Sequence, residues 1–310
     1  MGCKSAVSKL VFFLLVALKL GHGLVQLVGY DVVHEEMVGA KTLDYLAQDA
    51  KGESFVEFVV RSAGLAEAIF AISLFALGPT KLAFMAMLVP NTALALVLDR
   101  DSSLMRASGA LTAKHAEGLD IGAKVGMAVL AANFLGLLFA GSKQEGLRRS
   151  TSSFAIFVLQ ALVAIETAVT FFALMGTETY FDQMARGIDL DAEGFEVAKV
   201  VTPLGLVFVR LLHTTCNIHM LGAGTLLHTL KPTHVALALM FLLQLSICAV
   251  DFYVYAGLKR VASASDAAAS ALQDMLQTGM VFHGVCAVLA LVAALVALLS
   301  DPAPSKSKKE

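Results

Sequence analysis

Eight predominantly apolar stretches, at residues 9–30, 55–78, 81–99, 121–141, 153–176, 203–228, 233–257 and 275–299, dominate this chain of 310 residues. A helix needs about 20 apolar residues to cross a hydrocarbon core, and each stretch has roughly that length. Hydrophobic residues make up 57% of the chain against 15% charged, so a soluble fold would leave large apolar patches facing water. The stretches are too long for barrel strands and lack the period-2 alternation that barrel strands need. The expected fold class is therefore all-α: a polytopic integral membrane protein of eight transmembrane helices, with the lipid bilayer as its first partner.

The stretches also repeat. Val11, Leu15, Val16, Ala17, Leu27 and Gly29 recur 147 residues later as Val158, Leu162, Val163, Ala164, Leu174 and Gly176, and Met37, Leu43 and Asp44 recur as Met184, Leu190 and Asp191. After a six-residue insertion the offset becomes 153, carrying Phe55, Leu77, Pro79, Thr80, Gly126 and Met127 onto Phe208, Leu230, Pro232, Thr233, Gly279 and Met280. Leu, Val and Ala matches come easily in an apolar chain, whereas Pro-Thr and Gly-Met pairs punctuate structure and do not. The pattern predicts a tandem duplication: a four-helix unit at 1–150, a second at 151–300, and a basic tail at 301–310. It also keeps residues 11–29 as a helix rather than a cleaved signal peptide, since their match lies in mid-chain.

Loop charge orients the chain. Lys4, Lys9, Lys81, Lys143, Arg148, Arg149, Lys231, Lys306, Lys308 and Lys309 flank one side. The loops on the other side hold Asp31, Glu35, Glu36, Asp44, Asp49 and Glu53, and then Glu178, Asp182, Asp189, Asp191, Glu193 and Glu196. The positive-inside rule puts both termini in the cytoplasm. Four helices per unit leave both units pointing the same way, which predicts a parallel pseudo-two-fold axis along the membrane normal. Within the tail, Lys306 and Lys308 stand fifth and third from the end, the spacing of dilysine retrieval signals, so an endoplasmic-reticulum location and a retrieval coat as partner are expected. The competing reading is a plain basic flank. Three of the four cysteines, Cys216, Cys248 and Cys286, fall inside helices without paired spacing and read as packing residues.

Polar side chains at membrane depth are costly and mark candidate functional positions. Lys19 aligns with Glu166, and Glu57 with Arg210. Across a pseudo-two-fold axis such inverted charges are expected to pair, Lys19 with Glu166 and Glu57 with Arg210, although Arg61 offers Glu57 a partner one turn away. Lys19, His22 and Gln26 form a stripe at i, i+3 and i+7, as do Arg210, His213 and Asn217. Their counterparts in the opposite units are polar only at the first position. Glu67, Asp251 and His283, with Asn91 and its counterpart Gln244, complete the set.

No HxxxH or HExxH pattern, phosphate loop or dinucleotide fingerprint occurs, so neither a metal nor another cofactor is expected. A net charge of -2 with basic residues confined to membrane flanks gives nucleic-acid binding no support. Two functions fit. One is a transporter or receptor for a small solute, ion or lipid, with a cavity lined by Lys19, His22, Glu67, Arg210, His213 and Asn217. The other is a membrane scaffold or lipid-metabolism accessory protein whose polar residues only hold helices together. An enzyme ranks third.

Overall fold

The computed structural model describes residues 2–29, 45–92, 95, 113–141, 149–175, 200–230, 233–261 and 267–301. The retrieval-like Lys306 and Lys308, and most of both acidic loops, lie outside the described residues. Among the described residues every regular element is a helix: α1 (Gly2–Val28), α2 (Ala50–Leu77), α3 (81–92), α4 (Ala113–Phe139), α5 (Ser153–Met175), α6 (Pro203–Leu230), α7 (His234–Val261) and α8 (Ala267–Ser300). All but α3 are long and apolar enough to cross a membrane. The chain is thus an all-helical, multi-pass membrane protein.

Several helices extend beyond their apolar stretches, α4 and α8 the furthest at their starts. α4 starts at Ala113 rather than 121, and α8 at Ala267 rather than 275. Hydropathy measures the hydrocarbon thickness, whereas alanine-rich turns such as Ala267-Ala268-Ala269 stay helical beyond it. Helix starts are set by side-chain caps. Thr80 Oγ1 accepts from Ala83 N at 3.2 Å and Thr233 Oγ1 from Ala236 N at 3.1 Å, so the recurring Pro-Thr pair caps α3 and α7 alike. Asp49 caps α2, and Thr202, at an offset of 153, caps α6.

α2 lies at the centre. Buried residues make up 72% of its most apolar window against 11% for α4, which skirts the bundle. α2 packs on α1, α6 and α7; α6 also packs on α5, α1 on α4, and α8 on both α7 and α5. Phe12, Phe70, Leu74, Phe84, Leu226 and Leu237 belong to the larger core, and a smaller one around Phe55, Val59 and Leu272 fills the end near the acidic loops. Leu14, Phe157, Phe172 and Leu299 point outward, as a lipid-facing surface requires.

Each end of the bundle is tied. Before α2 and α6 the chain crosses itself: Gln48 N donates to Val200 O at 2.8 Å, and Thr202 N to Leu46 O at 2.9 Å. Gly52 and Gly205, again 153 apart, sit under this crossing, where a Cβ would strike the carbonyls of Val200 and Leu46. At the other end Asp301, just past α8, accepts from Thr151 N at 2.7 Å and Thr151 Oγ1 at 2.6 Å, and lies 2.9 Å from His234 at the start of α7. One carboxylate therefore joins the ends of α5, α7 and α8.

α1 and α2 approach each other closely through a pair of glycines. A Cβ on Gly64 would lie 2.6 Å from Gly23 O, and one on Gly23 would lie 2.6 Å from Gly64 O. Gly64→Ala should therefore cost about 1–3 kcal/mol, read as a lowered unfolding midpoint in detergent. Gly21→Ala, with nothing within 4 Å, should be neutral. If both variants unfold alike, the glycine contact does not hold the pair.

Asp301 yields a pH prediction. The Thr151 hydrogen bonds hold its carboxyl below the ordinary 3.8, at about 2. A depressed folded-state value means that the stabilisation is complete above the unfolded value and is lost as pH falls through the folded one. Wild type should lose stability from about pH 4 toward pH 2, and Asp301→Ala should flatten that part of the profile.

Candidate functional site

Because the Gly23 and Gly64 backbones touch, the polar stripe of α1 is carried against Glu67 of α2. Glu67 is 6% exposed and receives three basic groups: His22 Nδ1 at 2.5 Å from Oε2, and Lys19 Nζ at 3.8 Å and His219 Nε2 at 3.9 Å from Oε1. Lys19 is 5% exposed and His219, on α6, is fully buried. All of these lie well inside the membrane-spanning segments. Charges at such depth persist only when paired, and here a carboxylate and an ammonium balance within one group.

Hydrogen-bond partners assign the tautomers. His219 Nδ1 donates to Thr215 O at 2.9 Å, which leaves Nε2 to accept from Lys19 Nζ at 3.2 Å. Gln26 Nε2 lies 3.3 Å from His22 Nε2, so the amide donates and the other ring nitrogen, Nδ1, donates to Glu67. Phe70 lies beneath the group, with its ring 5.6 Å from that of His219 and 5.8 Å from Lys19 Nζ. A cation over an aromatic face adds to its stabilisation.

Of the residues expected from the sequence, Lys19, His22, Gln26 and Glu67 meet in this one group. His219, not singled out from the sequence, is the further member. It had a signal: at an offset of 153 it matches Ala66, the neighbour of Glu67.

Lys19 and Glu166 do not pair. Each has other partners, because α1 packs on α2, while α5 packs on α6, α7 and α8. Glu166 accepts from Gln244 Nε2 at 2.6 Å, and Gln244 Oε1 accepts from His283 Nδ1 at 2.8 Å. This makes a second polar group, spanning α5, α7 and α8. Asn91, which the sequence offset of 153 aligns with Gln244, has its Nδ2 buried with no partner among the described residues, and both polar atoms of the Asn133 amide are buried likewise.

The other candidates are dispersed. Glu57 pairs with Arg61 at 2.8 Å, the i,i+4 alternative. Arg61 also donates to Leu27 O, capping the last turn of α1, and its guanidinium lies 4.4 Å over the Tyr253 ring. Arg210 is exposed on α6. Asn217 Nδ2 donates to the His213 carbonyl at 2.9 Å and lies 3.1 Å from its ring Nε2. Asp251 is buried against Gly279, where a Cβ would stand 2.5 Å from its Oδ2. A cleft of about 270 Å³ opens between α1, α2 and α7, lined by Leu27, Arg61, Leu65, Ser246, Ala249, Val250 and Tyr253. None of the six residues expected to line a transport cavity borders it, because Arg61 and Leu65 lie on another face of α2 from Glu67.

No protein-family model, no curated protein and no solved structure matches the chain, so its chemistry rests on its own geometry. That geometry makes a definite claim about Lys19. Lys19→Met and Glu67→Met should each cost about 3–5 kcal/mol, since each strands the opposite charge, and the double variant should cost less than their sum. The exchange Lys19→Glu with Glu166→Lys should be no better than either single change. Unfolding in mixed micelles reads both, and rescue by the exchange would restore the cross-half pair.

Proposed function

We propose that the chain is a membrane transporter or receptor for a small solute, ion or lipid, with its polar path running between two related four-helix halves. One observation carries this reading: at mid-membrane, Lys19 and Glu67 of the first half form a charged group with His219 of the second. Helix packing alone does not require three ionisable residues at that depth, and a group that binds or passes polar species does.

The contacts support a duplicated architecture with parallel two-fold symmetry. α2 packs on its counterpart α6, the crossing at 46–48 and 200–202 has matched hydrogen bonds, and Asp49 and Thr202, or Gly52 and Gly205, play equal parts 153 residues apart. Loop charge supports cytoplasmic termini, and the spacing of Lys306 and Lys308 supports residence in the endoplasmic reticulum with a retrieval coat as partner.

The scaffold reading keeps one observation in its favour. Gln244 hydrogen-bonds both Glu166 and His283, as a residue that only holds helices together would.

Thermal unfolding of the purified protein against a panel of ions, lipids and metabolites separates the two. A ligand at 100 times its Kd should add about 2.7 kcal/mol of apparent stability, and Glu67→Gln should abolish the response. No response across the panel favours the scaffold.

A further inference from the structure

α1 and α7 both pack on α2, and toward the acidic-loop end they leave the cleft of about 270 Å³ between them. Ser246 and Ala249 make the room, because neither carries a bulky side chain, and the buried Leu65 and Val250 floor it. Leu24 and Val28 on α1 and Phe252 on α7 are exposed on its flanking helices, so the cleft opens sideways onto hydrocarbon rather than onto water. Its volume falls just under the roughly 300 Å³ at which small-molecule sites begin, which suits a stretch of acyl chain better than a whole solute.

The cleft has a direction. α2 begins and α7 ends at the acidic-loop end, so Arg61 and Tyr253 stand at its outer end while Leu65 and Ser246 lie deeper. The run from Ser246 to Tyr253 is about 10 Å of helix. Arg61 donates to Leu27 O in the last turn of α1, which fixes the guanidinium at the level where that helix ends. Tyr253 is 55% exposed, the placement of an aromatic side chain at a membrane boundary. A guanidinium at the boundary, with an apolar slot running inward from it, fits an amphiphile whose head lies outward.

Glu57 narrows the choice of head. It stands 2.8 Å from Arg61 and, four residues nearer the start of α2, about 6 Å further out. A plain anionic headgroup would meet this carboxylate as well as the guanidinium. A zwitterion with its phosphate next to the acyl chains and a primary ammonium beyond it matches both, since the two-carbon bridge between them is comparable in length to one helical turn. The Tyr253 ring holds one face of the guanidinium at 4.4 Å, which leaves its edge to the phosphate oxygens, and the ammonium donates to Glu57. A quaternary choline has no N–H to give that carboxylate. We propose that the cleft binds one phospholipid with a phosphoethanolamine headgroup, its phosphate at Arg61, its ammonium at Glu57 and one acyl chain along Leu65, Ala249 and Val250. No residue of the Glu67 group lines the cleft, so this site stands apart from the transport or receptor reading.

The test titrates the full chain in detergent micelles with phosphatidylethanolamine, phosphatidylcholine and phosphatidylglycerol of identical acyl chains, and follows the first bound lipid by native mass spectrometry. Wild type should hold the ethanolamine lipid roughly tenfold more tightly than the other two, the scale of one charge-assisted hydrogen bond. Glu57→Gln should remove the preference over choline and raise the glycerol lipid above both. Ala249 is exposed, so Ala249→Phe fills the slot without entering the core and should lower binding of the ethanolamine lipid roughly tenfold. Leu245→Phe, at a position exposed on α7 outside the cleft, should leave it as in wild type. Arg61→Gln should lose the ethanolamine lipid too; because the same side chain caps α1, the Glu57 and Ala249 variants decide if it fails to accumulate. Equal affinities for the three lipids, or a wild-type preference for the glycerol lipid, overturn the headgroup assignment. Equal effects of the two phenylalanines overturn the cleft.

Discussion

The carboxylate of Glu67 is the constraint on which the rest of the arrangement depends. An isolated charge at that depth would cost several kcal/mol, so the fold must bring it compensation. Compensation comes from Lys19 and His22 on α1, and His219 on α6 holds Lys19 in place by accepting from its Nζ. Together these contacts set how α1 lies on α2 and how α2 meets α6. The Gly23 and Gly64 contact serves the same end, because any side chain there would hold α1 too far off for His22 to reach Oε2.

The proposed repeat then presents two solutions to one problem. Lys19 and Glu166 occupy matched positions, yet each is satisfied within a different set of helices. The second group is closed by direct hydrogen bonds through Gln244, a residue long enough to bridge Glu166 and His283. The first half has the shorter Asn91 at the matched place, with its Nδ2 unpartnered, and sends its lysine toward the central axis instead.

The ends of the bundle have a different task. The crossing before α2 and α6 and the Asp301 contact at the far end use backbone and cap hydrogen bonds, which supply geometry at little electrostatic cost.

How much of this was legible in the sequence follows from which forces are local. Apolar length determined the class and order of the helices, because a spanning helix must satisfy its own backbone and be about as long as the bilayer is thick, while of the eight expected spans seven are long and apolar enough among the described residues. The stripe of Lys19, His22 and Gln26 was equally visible, since spacing of i, i+3 and i+7 depends on nothing beyond α1. Partners were not visible. Which helix Lys19 faces depends on which helices line the contact between the halves, and that is decided by packing over the whole bundle. α2 took the centre with α6, so Lys19 met Glu67 and His219 rather than Glu166, and His219 became part of the site. Only the tertiary structure could decide this, because side chains 200 residues apart meet through the shape of every helix between them.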